Sequence, residues 1–359
     1  MPNHIQPRPE LAYVPVVVHG GFDSARAAVD LLDFSANINP FGPSPRIWDA
    51  MRAVDVARHP DPRAAPLRAF LAEHERLDVG QVLAGNGSTE LIYSLANAYL
   101  RPGDHVLIVG PTFGEYAAAA ALMGAQVITL HTRPEDGFQL DIDELLALAR
   151  QYTPRMIFLC NPNNPTGTFL AQAQIARLLG GCPGALLVLD ESFISFVADG
   201  WPARDLLDAG NLVVLRSLTK DYALTGLRVG YALAAPDVIA ALLKAQPPWS
   251  VNGLAQAAAL AALQDAVHLR DSLATLARAK AGLVQQLAQL GFAPLPSHVH
   301  FFLLPVRSAK QRAQRLLERR ILVRDCSSFG LPTFLRIAAQ LPEANQRLIA
   351  ALAEIGDQG

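Results

Sequence analysis

Six short apolar runs recur along the chain, at 105–110, 125–130, 155–160, 185–190, 212–217 and 228–235, and they constrain the fold more than any other feature. Each is rich in Val, Ile and Leu at nearly every position rather than at alternate ones. Such strands are buried on both faces, which is the signature of a parallel or mostly parallel sheet covered by helices. Helical periodicity fills the spaces between them, as at Thr89 to Leu100, Phe113 to Met123 and Ala171 to Leu179. Residues from about 60 to 250 therefore read as one α/β unit. The stretch "PPWSVN" at 247–252 breaks the pattern, and a single long Ala/Leu-rich helix is expected from Gly253 to Leu290. Strand-like segments at 298–306, 319–326 and 334–339, mixed with helices, predict a smaller α+β unit at the C-terminal end.

A chain of 359 residues with 51% hydrophobic content has enough apolar surface for a large core. Thirty basic residues stand against 32 acidic ones, so no cationic excess is available to neutralise a nucleic-acid backbone. Cys160, Cys182 and Cys326 lie far apart without paired spacing, which argues against a disulfide framework or a zinc ribbon and suits a reducing cytoplasm. No apolar run reaches about 18 residues, and the first residues lack an apolar signal segment, so no membrane association is expected.

Ligands of open α/β sheets sit beyond the carboxyl ends of the strands. Four polar clusters fall there. "AGNGSTE" at 84–90 puts Gly85, Gly87, Ser88 and Thr89 ahead of a helix, where backbone N–H groups and the helix dipole favour an anion such as phosphate. Ser and Thr also serve as ordinary helix caps. "NPNNPTG" at 161–167 follows a strand, where Pro, Asn and Gly make a loop by themselves. "LVLDES" at 187–192 ends a buried strand on Asp190, a carboxylate that is costly there without a cation. "RSLTK" at 216–220 ends another strand on Lys220, with Ser217 before it and Arg228 after it. A phosphate cradle, an acid in want of a cation and a lysine able to form an imine are together what pyridoxal phosphate requires. His298 and His300 alternate along a strand with no third ligand in view, so packing is expected there and no metal.

In this series, joined by Pro111-Thr112-Phe113, the chain resembles the class I/II aminotransferases of fold-type I, over nearly its whole length. The resemblance implies a large α/β domain with a mostly parallel seven-stranded sheet and a smaller C-terminal α+β domain. It implies an N-terminal arm at 1–45, the large domain at 46–252 and the small one at 253–359. It makes Lys220 the residue bonded to pyridoxal 5'-phosphate, Asp190 the partner of the pyridine nitrogen and Asn164 the partner of the ring 3-oxygen. Phe113 stacks on the ring, and Gly87, Ser88, Thr89, Ser217 and Arg228 hold the phosphate. Arg336 corresponds to the arginine that binds the substrate carboxylate. The family's active site is built across a homodimer.

Two branches compete. Histidinol-phosphate aminotransferases share "NPNNPTG", "ILVRD" and "LRI". The L-threonine-O-3-phosphate decarboxylases of cobalamin synthesis resemble the chain further, in His19-Gly20-Gly21, "LLDFSANINPFG" at 31–42, "PWSVN" at 248–252 and "ILVRDC" at 321–326. Phe193, where aminotransferases carry Tyr, also leans that way. The expectation is therefore decarboxylation of threonine phosphate, with His19, Asn37, Arg324 and Arg336 fixing a phosphorylated amino-acid substrate so that its carboxylate stands perpendicular to the cofactor ring. Histidinol-phosphate transamination is the alternative, and a non-catalytic cofactor sensor the remaining one. Both enzyme branches carry Tyr where this chain has His59, a residue that reaches the partner subunit's site, and Ser192 replaces their small Ala.

Overall fold

A computed structural model of the protein describes residues 5–20 and 31–356. Its strands, in chain order, are β1 (Leu32–Asp33), β2 (Val82–Gly85), β3 (His105–Gly110), β4 (Gln126–His131), β5 (Met156–Cys160), β6 (Leu186–Asp190), β7 (Leu212–Ser217), β8 (Gly230–Ala234), β9 (Phe301–Pro305), β10 (Ile321–Leu322), β11 (Arg324–Asp325) and β12 (Phe334–Ala338). Seven of them form the central sheet in the order β2-β8-β7-β6-β5-β3-β4. Only β8 runs against its neighbours; the remaining pairs are parallel. The six apolar runs are the six long strands of this sheet.

Strands β5, β6 and β8 are buried at every position, as their uninterrupted Val, Leu, Ile and Ala require. Two apolar clusters line the two faces. Leu187, Leu189 and Val214 point to one, while Val188, Val213 and Leu215 point to the other. Each such side chain contributes about 1.5–3 kcal/mol when fully buried, so the sheet is the most strongly fixed part of the molecule. β2, only "VLAG", has too few residues for a periodicity signal and was not expected.

A second, antiparallel sheet of β11-β12-β9 packs with the C-terminal helices around a third cluster that includes Leu283, Phe302, Leu335 and Leu352. β1 joins this part of the protein by pairing in parallel with β10. The expected long helix at 253–290 is instead two, Gly253–Leu263 and Ala266–Gln289. Asp265 makes the break, because its carboxylate caps the second helix at the His268 N–H and also accepts from Ser44 Oγ at 2.6 Å. An acceptor with two such partners favours a new helix start over continuation. No helix among the described residues is long and apolar enough to cross a membrane.

Candidate active site

The ends of β2, β5, β6 and β7 converge on one cleft of about 660 Å³. Its wall carries Ser88, Thr89, Phe113, Asn164, Asp190, Ser217, Lys220 and Arg228, and also His19, Asn37, Arg324 and Arg336. Residues as far apart in sequence as His19 and Arg336 thus line one cleft, at the edge to which the parallel strands deliver their polar ends. His59 lies elsewhere, stacked on Trp249 with ring centroids 4.7 Å apart. Gly21 lies outside the described residues.

Asp190 ends β6 and is buried. Its Oδ2 accepts from Tyr116 Oη at 2.7 Å, and its Oδ1 accepts from the Ser192 N–H at 2.9 Å. Burial and the neighbouring Asp190 charge push the Tyr116 phenol well above its ordinary range, so that it stays a donor. Tyr116 stacks on Phe158 and meets the edge of Phe113, linking the acid to the aromatic wall. Sequence reading missed Tyr116, which lies in the first turn of helix Glu115–Leu122, three residues beyond Phe113.

Lys220 sits three residues beyond β7, largely buried. Burial first, and then the Arg228 and Arg336 charges, bring its ammonium down to about 8. Its carbonyl oxygen accepts from Asn39 N at 2.8 Å. Asn39 Nδ2 in turn donates to the Asp221 carbonyl and to Ser272 Oγ, both at 2.9 Å. The "DFSANINP" segment therefore braces the lysine loop from behind. Asn37, from the same segment, turns toward the cleft and keeps a buried Oδ1 with no partner.

At the other end of the cleft the backbone of helix Gly87–Tyr99 begins on Gly87, whose φ is +77°. A Cβ there would stand 2.6 Å from Arg228 Nη2. A Cβ on Gly230 would fall 2.7 Å from the Arg216 carbonyl and 2.8 Å from the Ser88 nitrogen. Two glycines thus leave room for β8, the helix start and the Arg228 guanidinium to close round a small space lined by Ser88, Ser217 and Thr219.

Arg324 and Arg336 face each other across the β11–β12 ladder, so both side chains rise on one face of the small sheet. They are expected to hold a substrate phosphate, and in the structure both guanidiniums have acceptors on the protein. Arg324 donates to the carbonyls of His19 (3.0 Å) and Val18 (2.6 Å) and to Ser328 Oγ (2.8 Å). Arg336 donates to Asn164 Oδ1 and to the Ser35 carbonyl. The N-terminal chain passing the cleft supplies three of these acceptors, the Val18, His19 and Ser35 carbonyls, and sequence separation of about 300 residues hid them. His19 Nε2 meets Glu115 Oε1 at 2.9 Å.

Residues 29–352 match the family described as aminotransferase class I and II. The chain belongs to the class I and II aminotransferases. It is 40% identical over 334 residues to the histidinol-phosphate aminotransferase of Symbiobacterium thermophilum, with 91% of each chain covered. Relatives at 37% and 33% identity, from Moorella thermoacetica and Methylobacillus flagellatus, carry the same name. Its fold is that of the Sinorhizobium meliloti histidinol-phosphate aminotransferase solved in complex with pyridoxal-5'-phosphate, with TM-score 0.90, 25% identity and 99% and 98% of the two chains covered. The L-threonine-O-3-phosphate decarboxylase of Porphyromonas gingivalis is also similar, with TM-score 0.80, 30% identity and 90% and 99% covered. These relatives overturn the expectation of threonine-phosphate decarboxylation. The segments that suggested it, His19-Gly20 and 31–42, run along the cleft wall, and the second braces the lysine loop through Asn39.

Proposed function

We propose that this protein transfers the amino group of histidinol phosphate, or of a closely related phosphorylated amine, to a 2-oxo acid acceptor. The single observation that carries the reading is the 40% identity, across nine-tenths of both chains, to a histidinol-phosphate aminotransferase. Pyridoxal 5'-phosphate is the cofactor, and the cleft suits it on its own chemistry. A buried carboxylate, a lysine shifted to about 8 and a cradle that two side-chain-free positions keep open are the three things its ring nitrogen, aldehyde and phosphate need.

When bound, the cofactor supplies a protonated aromatic ring that draws electrons from the substrate's Cα. Asp190 holds the proton on the ring nitrogen, and Tyr116 and Ser192 N hold Asp190 in place. Lys220 Nζ would hold the cofactor covalently and would move the proton that leaves the substrate's Cα. Gly87, Ser88, Thr89, Ser217 and Arg228 grip the cofactor phosphate, Phe113 covers the ring face, and Asn164 contacts the ring oxygen. Asn164 and Arg336 are now paired with each other. Arg336 therefore exchanges this partner when an anionic substrate group arrives, at modest net cost because one charge-assisted bond replaces another.

The working unit we propose is a homodimer in a reducing cytoplasm, with an arm at 1–45, a large domain at 46–252 and a small one at 253–359. Free buried cysteines and half-exposed Trp48 and Trp249 support it. His59, stacked on Trp249, reaches the partner's site in this arrangement.

Two tests follow. Purified protein given histidinol phosphate and 2-oxoglutarate should form glutamate; absence of glutamate, or release of CO₂ from threonine phosphate in its place, would overturn the reading. Gly87→Ala should loosen cofactor binding by roughly tenfold or more, since the methyl displaces Arg228 and strains a left-handed residue by about 1–2 kcal/mol. Equilibrium dialysis of the cofactor measures this, and an unchanged affinity would remove Gly87 from the cradle.

A further inference from the structure

Three carboxylates line the cleft, and two are held by hydroxyls and backbone N–H groups of the protein. Asp33 accepts from the Ser35 N–H and hydroxyl and from the Ala36 N–H. Asp190 is held by Tyr116 and Ser192. The third, Glu115, stands in the first turn of helix Glu115–Leu122 with its side chain only 10% exposed. Its Oε2 is fixed by Tyr93 Oη at 2.6 Å. Its Oε1 turns into the cleft and is met, among the described residues, by the imidazole of His19 through Nε2 at 2.9 Å. The ring of His19 lies 6.0 Å from that of Phe113, tilted by 55°. The cleft therefore already contains a place where an imidazole is gripped by a carboxylate beside an aromatic wall.

His19 is loosely committed to that place. Its side chain is 55% exposed, whereas the backbone of its segment is anchored independently. Arg324 holds the carbonyls of Val18 and His19, and Val17 packs on Gly114 so closely that a Cβ there would meet Val17 Cγ1 at 2.9 Å. The ring can swing out while the chain stays. A ligand imidazole arriving at Glu115 replaces the same contact, so the exchange costs little beyond ordering the ligand.

We propose that Glu115, positioned by Tyr93, is the recognition point for the substrate's imidazole, and that His19 is an internal occupant which the substrate displaces. This rests on the reading of the substrate as histidinol phosphate and names the residue that selects its ring. A carboxylate accepting an imidazole N–H rejects an analogue that lacks the donor, because the buried oxygen is then left without a partner.

Free imidazole is the direct probe, followed by ligand-observed NMR on the cofactor-loaded protein. The H19A variant should bind imidazole at least about tenfold more tightly than the parent, and H19A/E115Q should lose that gain. In steady state, H19A should lower KM for histidinol phosphate, and E115Q should raise it roughly tenfold. For a phosphorylated amino alcohol with no ring, the ratio of kcat/KM to that for histidinol phosphate should shift toward the ringless compound in E115Q. The proposal is overturned if H19A binds imidazole no better than the parent, if H19A raises KM, or if E115Q leaves the substrate ratio unchanged. Failure of the parent to turn over histidinol phosphate would instead sink the substrate reading, with the imidazole titration still deciding what Glu115 holds.

Discussion

Lys220→Ala is expected to lower transamination by roughly three orders of magnitude or more and to abolish the visible absorbance that borohydride traps in the parent. An amine attacks a carbonyl only when it is unprotonated. An ordinary lysine at pH 7.5 is neutral in about one molecule in a thousand. With its ammonium brought down to about 8, Lys220 is neutral in roughly a quarter of molecules. The sign follows from burial and the two guanidiniums, which all disfavour the charged form, while Asp190 opposes them. Cofactor loading of the stripped protein should therefore accelerate with pH up to about 8 and then level off. The alanine variant should still hold the cofactor without a covalent bond, because Ser88, Ser217 and Arg228 are untouched. A borohydride-stable adduct in that variant would show that another lysine does the work.

Asp190→Ala is expected to lower turnover by two orders of magnitude or more, with a smaller loss of cofactor affinity. The ring nitrogen loses the carboxylate that keeps it protonated, whereas the phosphate cradle at the other end of the cleft is intact. A second effect falls on stability. The Tyr116 hydroxyl, buried and kept protonated, is left without its acceptor, which costs about 1–3 kcal/mol. Asp190→Asn keeps an acceptor for Tyr116 but carries no charge and turns its NH2 toward the Ser192 N–H, so it should recover part of the stability and not the rate. Comparing kcat and thermal unfolding of the two variants separates the roles. Near-parental turnover in either variant would remove Asp190 from the ring nitrogen.

These two residues were legible because Asp190 ends a strand that must be buried and Lys220 follows another by three residues, where a charged side chain is costly without a partner. Ser217 ends β7, and Phe113, Asn164 and Arg228 lie in loops flanking β3, β5 and β8 at the same edge of the sheet. Tyr116 was harder. It is apolar enough to pass as core, and only its contact with Asp190 shows what its hydroxyl does. Glu115 carries no local signal, since an acid in the first turn of a helix is ordinary. The engagement of Arg324 by Val18 and His19, and the brace from Asn39 to the lysine loop, depend on the path of an N-terminal chain that no local pattern specifies. The substrate was misread for a deeper reason. Decarboxylation and transamination differ in which Cα bond stands perpendicular to the ring, and that rotation is set by distances between residue types both branches share. Segments such as His19-Gly20 and 31–42 record how the arm is attached, not which bond breaks.

The most direct measurement is a single turnover without acceptor. Cofactor-loaded protein is mixed with excess histidinol phosphate and no 2-oxoglutarate, and the products are counted. Transfer of the amino group to the protein-bound cofactor predicts one oxo product per active site, no CO₂, and resumed turnover when 2-oxoglutarate is added. Release of CO₂, or product accumulating well beyond one per site without acceptor, would contradict the account.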